Sequence, residues 1–138
     1  MALHLIKLSV GTESIEDLER WRDRVFGKGQ PTSHVTRMFP KRRDEILDGG
    51  SIYWVIKRVV QVRQRVLDLE EITDSAGVKR CRIVLEPELI RTNPAPKRPF
   101  QGWRYLKPED APGDLSVAAG GENLPEDLRR KLLELGAW

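Results

Sequence analysis

Three segments rich in β-branched and aromatic residues follow one another in the middle of the chain, and they constrain its fold most strongly. They span residues 51–57, 59–70 and 78–86. Valine, isoleucine, tyrosine and tryptophan favour strands, and the turn-forming residues 73–77 predict that the last two segments form a hairpin. Strands are therefore expected to dominate residues 51–106.

The segment 59–70 alternates apolar and polar side chains. Val60, Val62 and Val66 fall on one side of an extended chain, because successive side chains point to opposite faces. The other side carries Gln61, Arg63, Arg65 and Leu67. This alternation predicts one buried face and one cationic face.

Helices are predicted before and after these strands in the sequence. Ser14 is an N-cap before an apolar pattern at helical spacing that Gly27 ends, which predicts a helix near residues 15–26. A short helix is predicted near residues 41–48, and a final helix with a stripe of leucines begins at Asn123.

Shorter extended segments complete the pattern at residues 3–10, 34–39 and 89–92, and at the end of the run 97–106. Residues 107–122 are rich in proline, glycine and acids, which predicts a surface loop. In the first strand, Lys7 falls on the same side as Leu3, Leu5 and Ser9.

The chain is thus predicted to be a single domain over residues 1–138 of the α+β class. The expected architecture is a five- or six-stranded, mostly antiparallel, strongly curved sheet or small β-barrel with flanking helices.

Positive charge is concentrated in the middle of the chain. Residues 34–107 carry 16 Lys or Arg and nine Asp or Glu, whereas residues 108–138 carry three and seven. A polyanionic partner would be attracted to the middle segment. The alternative interpretation is a solvated basic face with no partner.

The remaining composition narrows the class of protein. No apolar run approaches the ~18 residues of a membrane span and no basic leader begins the chain, so a cytoplasmic protein is expected. The single cysteine, Cys81, cannot form an internal disulfide, which favours a reducing compartment. One cysteine and two isolated histidines, His4 and His34, do not make a conventional zinc site, and no glycine-rich phosphate loop is present. Neither a metal nor a cofactor is expected.

The run of residues 97–106 is the strongest candidate for a working surface. It places three aromatic residues and three cations within ten positions. Aromatic rings stack on flat bases, while cations position phosphates. The alternative is that these rings belong to the core.

Four stretches resemble an uncharacterised bacterial family of about this length. They are residues 3–8, 34–38, 48–57 and 98–106, which read LHLIKL, HVTRM, DGGSIYWVIK and RPFQGWRYL. The resemblance covers nearly the whole chain. It implies a single domain and no particular activity.

A looser resemblance concerns residues 44–50, DEILDGG, a short helix that ends in glycine before a basic β-rich stretch. It is similar to the opening of the ASCH branch of PUA-like domains, which are small β-barrels with flanking helices, mostly implied in RNA binding. That branch usually has a lysine after the glycine, whereas Gly50 and Ser51 follow Gly49 here. Lys57 would be at most a displaced substitute for the catalytic lysine of that branch.

The leading hypothesis is a PUA-like module that binds RNA through a basic strand face and an aromatic-basic loop. Cations would contact phosphates, and an aromatic ring would stack on a base. The residues expected to contact nucleic acid are Arg37, Arg42, Arg43, Lys57, Arg63, Arg65, Arg98, Phe100, Trp103, Arg104 and Tyr105.

Two alternatives stay open. A small enzyme acting on a nucleoside or a related molecule would use His34, Lys57 or a buried carboxylate beneath the loop 98–106. A protein-interaction module would present the acidic loop 108–122 and the C-terminal helix.

Overall fold

A computed structural model describes residues 2–115, which form a mixed seven-stranded sheet with two helices. In chain order the elements are β1 (His4–Leu8), α1 (Ile15–Phe26), β2 (Thr32–Thr36), α2 (Arg43–Leu47), β3 (Ser51–Ile56), β4 (Val59–Thr73), β5 (Lys79–Leu85), β6 (Ile90–Pro96) and β7 (Trp103–Leu106), followed by a 3-10 turn at Pro108–Asp110. The predicted C-terminal helix and residues 116–122 of the predicted acidic loop lie outside the described residues. None of the helices within residues 2–115 is long and apolar enough to cross a membrane.

The sheet follows the order β2-β5-β4-β3-β1-β7, and β6 pairs with β4. The β1–β3 pair is parallel, and the other ladders are antiparallel. This arrangement confirms the α+β prediction with a curved sheet. The sheet has seven strands rather than five or six, and it does not close into a barrel.

The two outer strands of this order, β2 and β7, approach each other. Trp103 Nε1 donates a hydrogen bond of 2.9 Å to the carbonyl oxygen of Met38, two residues beyond β2. In a flat sheet, five spacings of ~4.8 Å would separate the outer strands by roughly 24 Å. The sheet therefore curls on itself and leaves an open seam between β2 and β7.

Two buried clusters lie on the two faces of the curled sheet. The inner face carries Leu5, Trp54 and Ile83, and α1 adds Ile15 and Leu18 to this cluster. The outer face carries Ile6, Tyr53, Val55 and Val60, which pack with Phe100 and Leu106. Strand β3 is buried along its whole length because both of its faces are covered.

The predicted alternation in β4 is wrong in one detail, because the strand contains a β-bulge. Trp54 pairs with Val62 and Val55 pairs with Val60, so Gln61 is an extra residue in the ladder. Because a bulge shifts the side chains that precede it to the other face, Val60 joins the outer cluster while Val62 and Val66 join the inner one.

The first helix confirms its prediction. Ser14 accepts a hydrogen bond from the backbone N–H of Asp17, and the helix ends before Gly27, which has a φ of 92°. By contrast, β6 extends through the prolines at 94 and 96, beyond the predicted extended segment 89–92. Proline donates no backbone hydrogen bond, and it is tolerated there because β6 lies at the edge of the sheet.

Candidate nucleic-acid interface

The aromatic-basic run 97–106 does not form one patch, because β7 sends alternate side chains to opposite faces of the sheet. Trp103 and Tyr105 pack against the inner cluster. Arg104 lies on the outer face, with its guanidinium carbon 4.9 Å from the centre of the Phe100 ring. Phe100 is only 8% exposed within the outer cluster, so its ring is not available to stack on a base.

Arg63 and Arg65 lie on the outer face, opposite Tyr53 and Ser51 of β3. The Arg63 guanidinium donates two hydrogen bonds, of 2.7 and 2.8 Å, to the Asp114 carboxylate. These bonds hold the pKa of Asp114 below its usual value. Arg65 is exposed and has no acidic partner within residues 2–115.

Arg42 and Arg43 are held by contacts around α2. Arg42 forms hydrogen bonds of 2.5 and 2.7 Å with Glu45, and its backbone N–H donates to the Tyr105 hydroxyl at 3.3 Å. Arg43 donates to Asp68 at 2.7 Å and to the carbonyl oxygen of Leu69 at 3.1 Å. Arg43 and the Tyr105 hydroxyl therefore fasten α2 to the sheet, whereas the Arg42–Glu45 pair is local to the helix.

Lys57 lies at the tip of the β3–β4 hairpin. Its ammonium group is 3.9 Å from the Glu13 carboxylate, and both Lys57 and Arg58 have positive φ angles. Arg98 is exposed and finds no acidic partner in the described part of the chain.

Arg37 and Trp103 are brought together at the open seam. They line a cleft of about 700 Å³, which we call the seam cleft, with Lys7, Val35, Thr36, Met38, Gln101 and Gly102. Lys7 on β1 stands directly opposite Trp103 on β7. Neither Lys7 nor Arg37 has an acidic partner within residues 2–115.

A second cleft, of about 490 Å³, shares Lys7 with the seam cleft. We call it the helix cleft, and it is lined by Lys7, Ser9, Val10, Gly11, Thr12, Asp17, Leu18, Arg20, Trp21, Arg24 and His34. The His34 ring meets the rings of Trp54 and Trp21 edge to face, at 4.8 and 5.8 Å between ring centres. Burial, and then the charge of Lys7, lower the pKa of His34, and burial lowers the pKa of Lys7.

Sequence reasoning missed Lys7 as a functional residue, although the signal was present. It is a cation in phase with Leu3 and Leu5, on the side of β1 that the structure buries. The His34 ring is partly buried and lies between Trp21 and Trp54. A polar side chain on a buried face is a functional candidate when no partner explains it.

The described residues hold no group of three or more potential metal ligands. Cys81 is buried, and burial raises the pKa of its thiol to about 11. Because the thiolate is the reactive form, Cys81 is a core residue rather than a nucleophile.

A protein-family model with the description "Protein of unknown function (DUF1489)" matches the chain over residues 5–138. This match confirms the resemblance to an uncharacterised family over nearly the whole chain. No curated protein and no solved structure matches the chain. The looser resemblance to PUA-like domains has no support from these comparisons and stays a prediction.

Proposed function

The chain belongs to the DUF1489 family, and we propose that it binds single-stranded RNA in the seam cleft. One observation carries the proposal. Lys7 and Trp103 face each other across two paired strands beside Arg37, and neither cation has an acidic partner within residues 2–115.

The chemistry of the seam cleft suits an unpaired strand. A partly exposed indole such as Trp103 stacks on any base, and each stacked base contributes about 1–3 kcal/mol. Cations attract phosphates, and Lys7 and Arg37 can do so without first breaking an ion pair with any acid of residues 2–115. The indole itself is fixed by its hydrogen bond to Met38, which reduces the entropy lost on binding.

The proposal narrows the set of contacting residues that the sequence suggested. Arg37 and Trp103 contact the strand, and Lys7 joins them. Arg42, Arg43 and Tyr105 support the fold around α2, while Arg63, Phe100 and Arg104 stabilise the outer face. Lys57, Arg65 and Arg98 line neither cleft, so they are not assigned to the interface.

The experiment compares two arginines that are alike except for their place in the fold. Arg37 and Arg65 are both exposed and both lack an acidic partner within the described residues, but only Arg37 lines the seam cleft. Affinity for a fluorescent single-stranded RNA of 12 nucleotides is measured by anisotropy for the wild type, Arg37→Gln, Arg65→Gln and Trp103→Leu.

We expect Trp103→Leu to weaken binding by about 5- to 150-fold, the equivalent of one lost base stack. Arg37→Gln should weaken binding and reduce the slope of log affinity against log salt by about 0.7, because one phosphate contact is lost. Arg65→Gln should change neither quantity. An affinity that does not respond to salt, or equal losses from Arg37→Gln and Arg65→Gln, would refute the proposal.

A small enzyme acting on a nucleoside or a related molecule is the second candidate. It is favoured by the presence of Lys7 and His34, two groups whose pKa values burial lowers, in one cleft. Incubation of the protein with nucleosides and nucleoside monophosphates, followed by chromatography, tests it. A new product that the His34→Gln variant fails to form would support this function, and unchanged substrates would exclude it for those compounds.

The third alternative, a protein-interaction module, depends on the loop 108–122 and the C-terminal helix. The C-terminal helix and residues 116–122 of the loop lie outside the described residues.

A further inference from the structure

We infer that the helix cleft binds a phosphomonoester carried on a flat ring, the chemistry of a nucleoside monophosphate. The nucleotide is either free or the terminal nucleotide of an RNA strand; only the second case rests on the function proposed above.

The charge of the helix cleft favours an anion. Its lining includes three cations, Lys7, Arg20 and Arg24, and one carboxylate, Asp17. Asp17 is already paired with Arg20, and its second oxygen accepts the backbone N–H of Glu13 at 3.1 Å. Two cations, Lys7 and Arg24, therefore remain without an acidic partner within residues 2–115.

The environment of Lys7 gives the strongest argument for a bound anion. Its side chain is partly buried, and a buried charge without a counterion destabilises the protein that carries it. An anion bound beside Lys7 would offset that cost. Within residues 2–115, the positive charge of Lys7 is thus left without a counterion unless a ligand supplies one.

The size of the excess charge selects the class of anion. Three cations against one carboxylate leave an excess of two positive charges with His34 neutral. A phosphomonoester carries about 1.5–2 negative charges at pH 7 and three acceptor oxygens, whereas a carboxylate carries one charge. Ser9 and Thr12 also line the cleft. The Thr12 hydroxyl already donates to Ser9, so this pair adds one further donor, the Ser9 hydroxyl.

The remaining wall is apolar and suits a ring. Trp21, Leu18 and Val10 line it. Val10 is 84% exposed, the most exposed of the large hydrophobic side chains within residues 2–115. A volume of about 490 Å³ lies within the range of ~300–1,000 Å³ that is typical of small-ligand clefts. A nucleotide ring against this wall would bury Val10 while its phosphate meets Lys7 and Arg24.

The first experiment uses adenosine 5′-monophosphate and adenosine as probes in isothermal titration. We expect the monophosphate to bind at least about 10-fold more tightly than adenosine, because the phosphate meets charged donors. Arg24→Gln should weaken the binding of the monophosphate about 10-fold, and Arg65→Gln, the same change outside both clefts, should leave it unchanged. Equal affinities for the two probes, or equal effects of the two variants, would overturn the inference.

The second experiment distinguishes the two sources of the phosphate. Twelve-nucleotide RNAs with and without a 5′-phosphate are compared on the wild type and on Arg24→Gln. A terminal phosphate that tightens binding only in the wild type identifies the strand end as the ligand, and no effect of the phosphate, with the monophosphate still bound, identifies a free nucleotide.

The two proposals can fail separately. Arg37 lines only the seam cleft and Arg24 lines only the helix cleft. If RNA without a 5′-phosphate binds the wild type and Arg37→Gln weakens this binding, the result supports the proposed function alone. Binding of adenosine monophosphate that is weakened by Arg24→Gln supports the helix-cleft site alone.

Discussion

The indole nitrogen of Trp54 donates a hydrogen bond of 2.9 Å to the side-chain oxygen of Gln64 in the interior of the sheet. Gln64 is 3% exposed, and its amide nitrogen also donates to the carbonyl oxygen of Glu86 at 2.9 Å. Trp54 is among the largest fully buried side chains of the inner cluster, so its N–H has no access to water. Gln64 thus lets a tryptophan fill the core without an unpaired polar group.

Replacement of Gln64 by leucine should lower the free energy of unfolding by about 2–3 kcal/mol, because it leaves the Trp54 N–H and the Glu86 carbonyl without a partner. Urea denaturation followed by tryptophan fluorescence measures this loss. Gln30→Leu, the same change at an exposed position, should alter stability by less than about 0.5 kcal/mol. Similar losses in both variants would show that the buried hydrogen bond between Trp54 and Gln64 does not stabilise the protein.

Gly50 is predicted to tolerate no side chain. A Cβ atom at this position would lie 2.2 Å from the carbonyl oxygen of Leu3 and 2.4 Å from that of Ile46. Since both contacts are with backbone, Gly50→Ala should cost at least about 2 kcal/mol in thermal or urea unfolding. Gly77→Ala is the control: Gly77 has a φ of 80° but open space around it, so only about 1 kcal/mol of backbone strain is expected.

The turn at Lys57 and Arg58 should be easy to stabilise. Their φ angles are 51° and 66°, and a two-residue hairpin turn with two positive φ angles favours Asn-Gly. The double change Lys57→Asn, Arg58→Gly should raise the free energy of unfolding by about 1 kcal/mol, because glycine adopts such angles without strain. If stability stays the same or falls, the turn is not strained in solution.

Stability should decline in mild acid because of the two histidines. His4 Nδ1 accepts a hydrogen bond of 3.0 Å from the backbone N–H of Ser51, and burial together with the charge of Arg63 lowers its pKa. Burial and Lys7 lower the pKa of His34 in the same direction. From pH ~6.5, the usual pKa of histidine, downward, the unfolded chain therefore binds protons that the folded chain does not.

The contribution of the neutral histidines is thus complete above pH ~6.5 and is lost as the pH falls through the lowered values. The free energy of unfolding, measured by urea denaturation at steps between pH 8 and pH 5, should fall less steeply in His4→Gln and in His34→Gln than in the wild type. Glutamine at position 4 can still accept the Ser51 N–H, which separates the loss of titration from the loss of a bond. Identical pH profiles in all three proteins would contradict the lowered pKa values.

Local signals in the sequence were enough to predict the parts of the fold that depend on residues close together in the chain. The helix 15–26 has its N-cap at Ser14 and its end at Gly27, and both are local devices. The β4–β5 hairpin is likewise set by the turn that follows Thr73. The bulge at Gln61 was not predictable, because it depends on how β3 and β6 meet β4 rather than on the β4 sequence.

The candidate site depends on contacts between distant parts of the chain, and sequence reasoning found it only in part. It selected Arg37 and Trp103 from composition, yet grouped Trp103 with Phe100 and Arg104, which lie on the opposite face of the sheet. The sequence places Lys7 on the same side of β1 as Leu3 and Leu5, but its position opposite Trp103 follows from pairing between β1 and β7. No local pattern encodes which strands become neighbours.

The pairing of β1 with β3 and β7 also has a consequence for biosynthesis. His4 is matched with Leu106, and Leu5 with Ile52, so β1 is synthesised before either of the strands with which it pairs. Such non-local pairing is slow, since a long loop must close before the strands gain any contacts. During translation the apolar residues of β1 are therefore exposed, and this strand is where we expect a chaperone to bind the nascent chain.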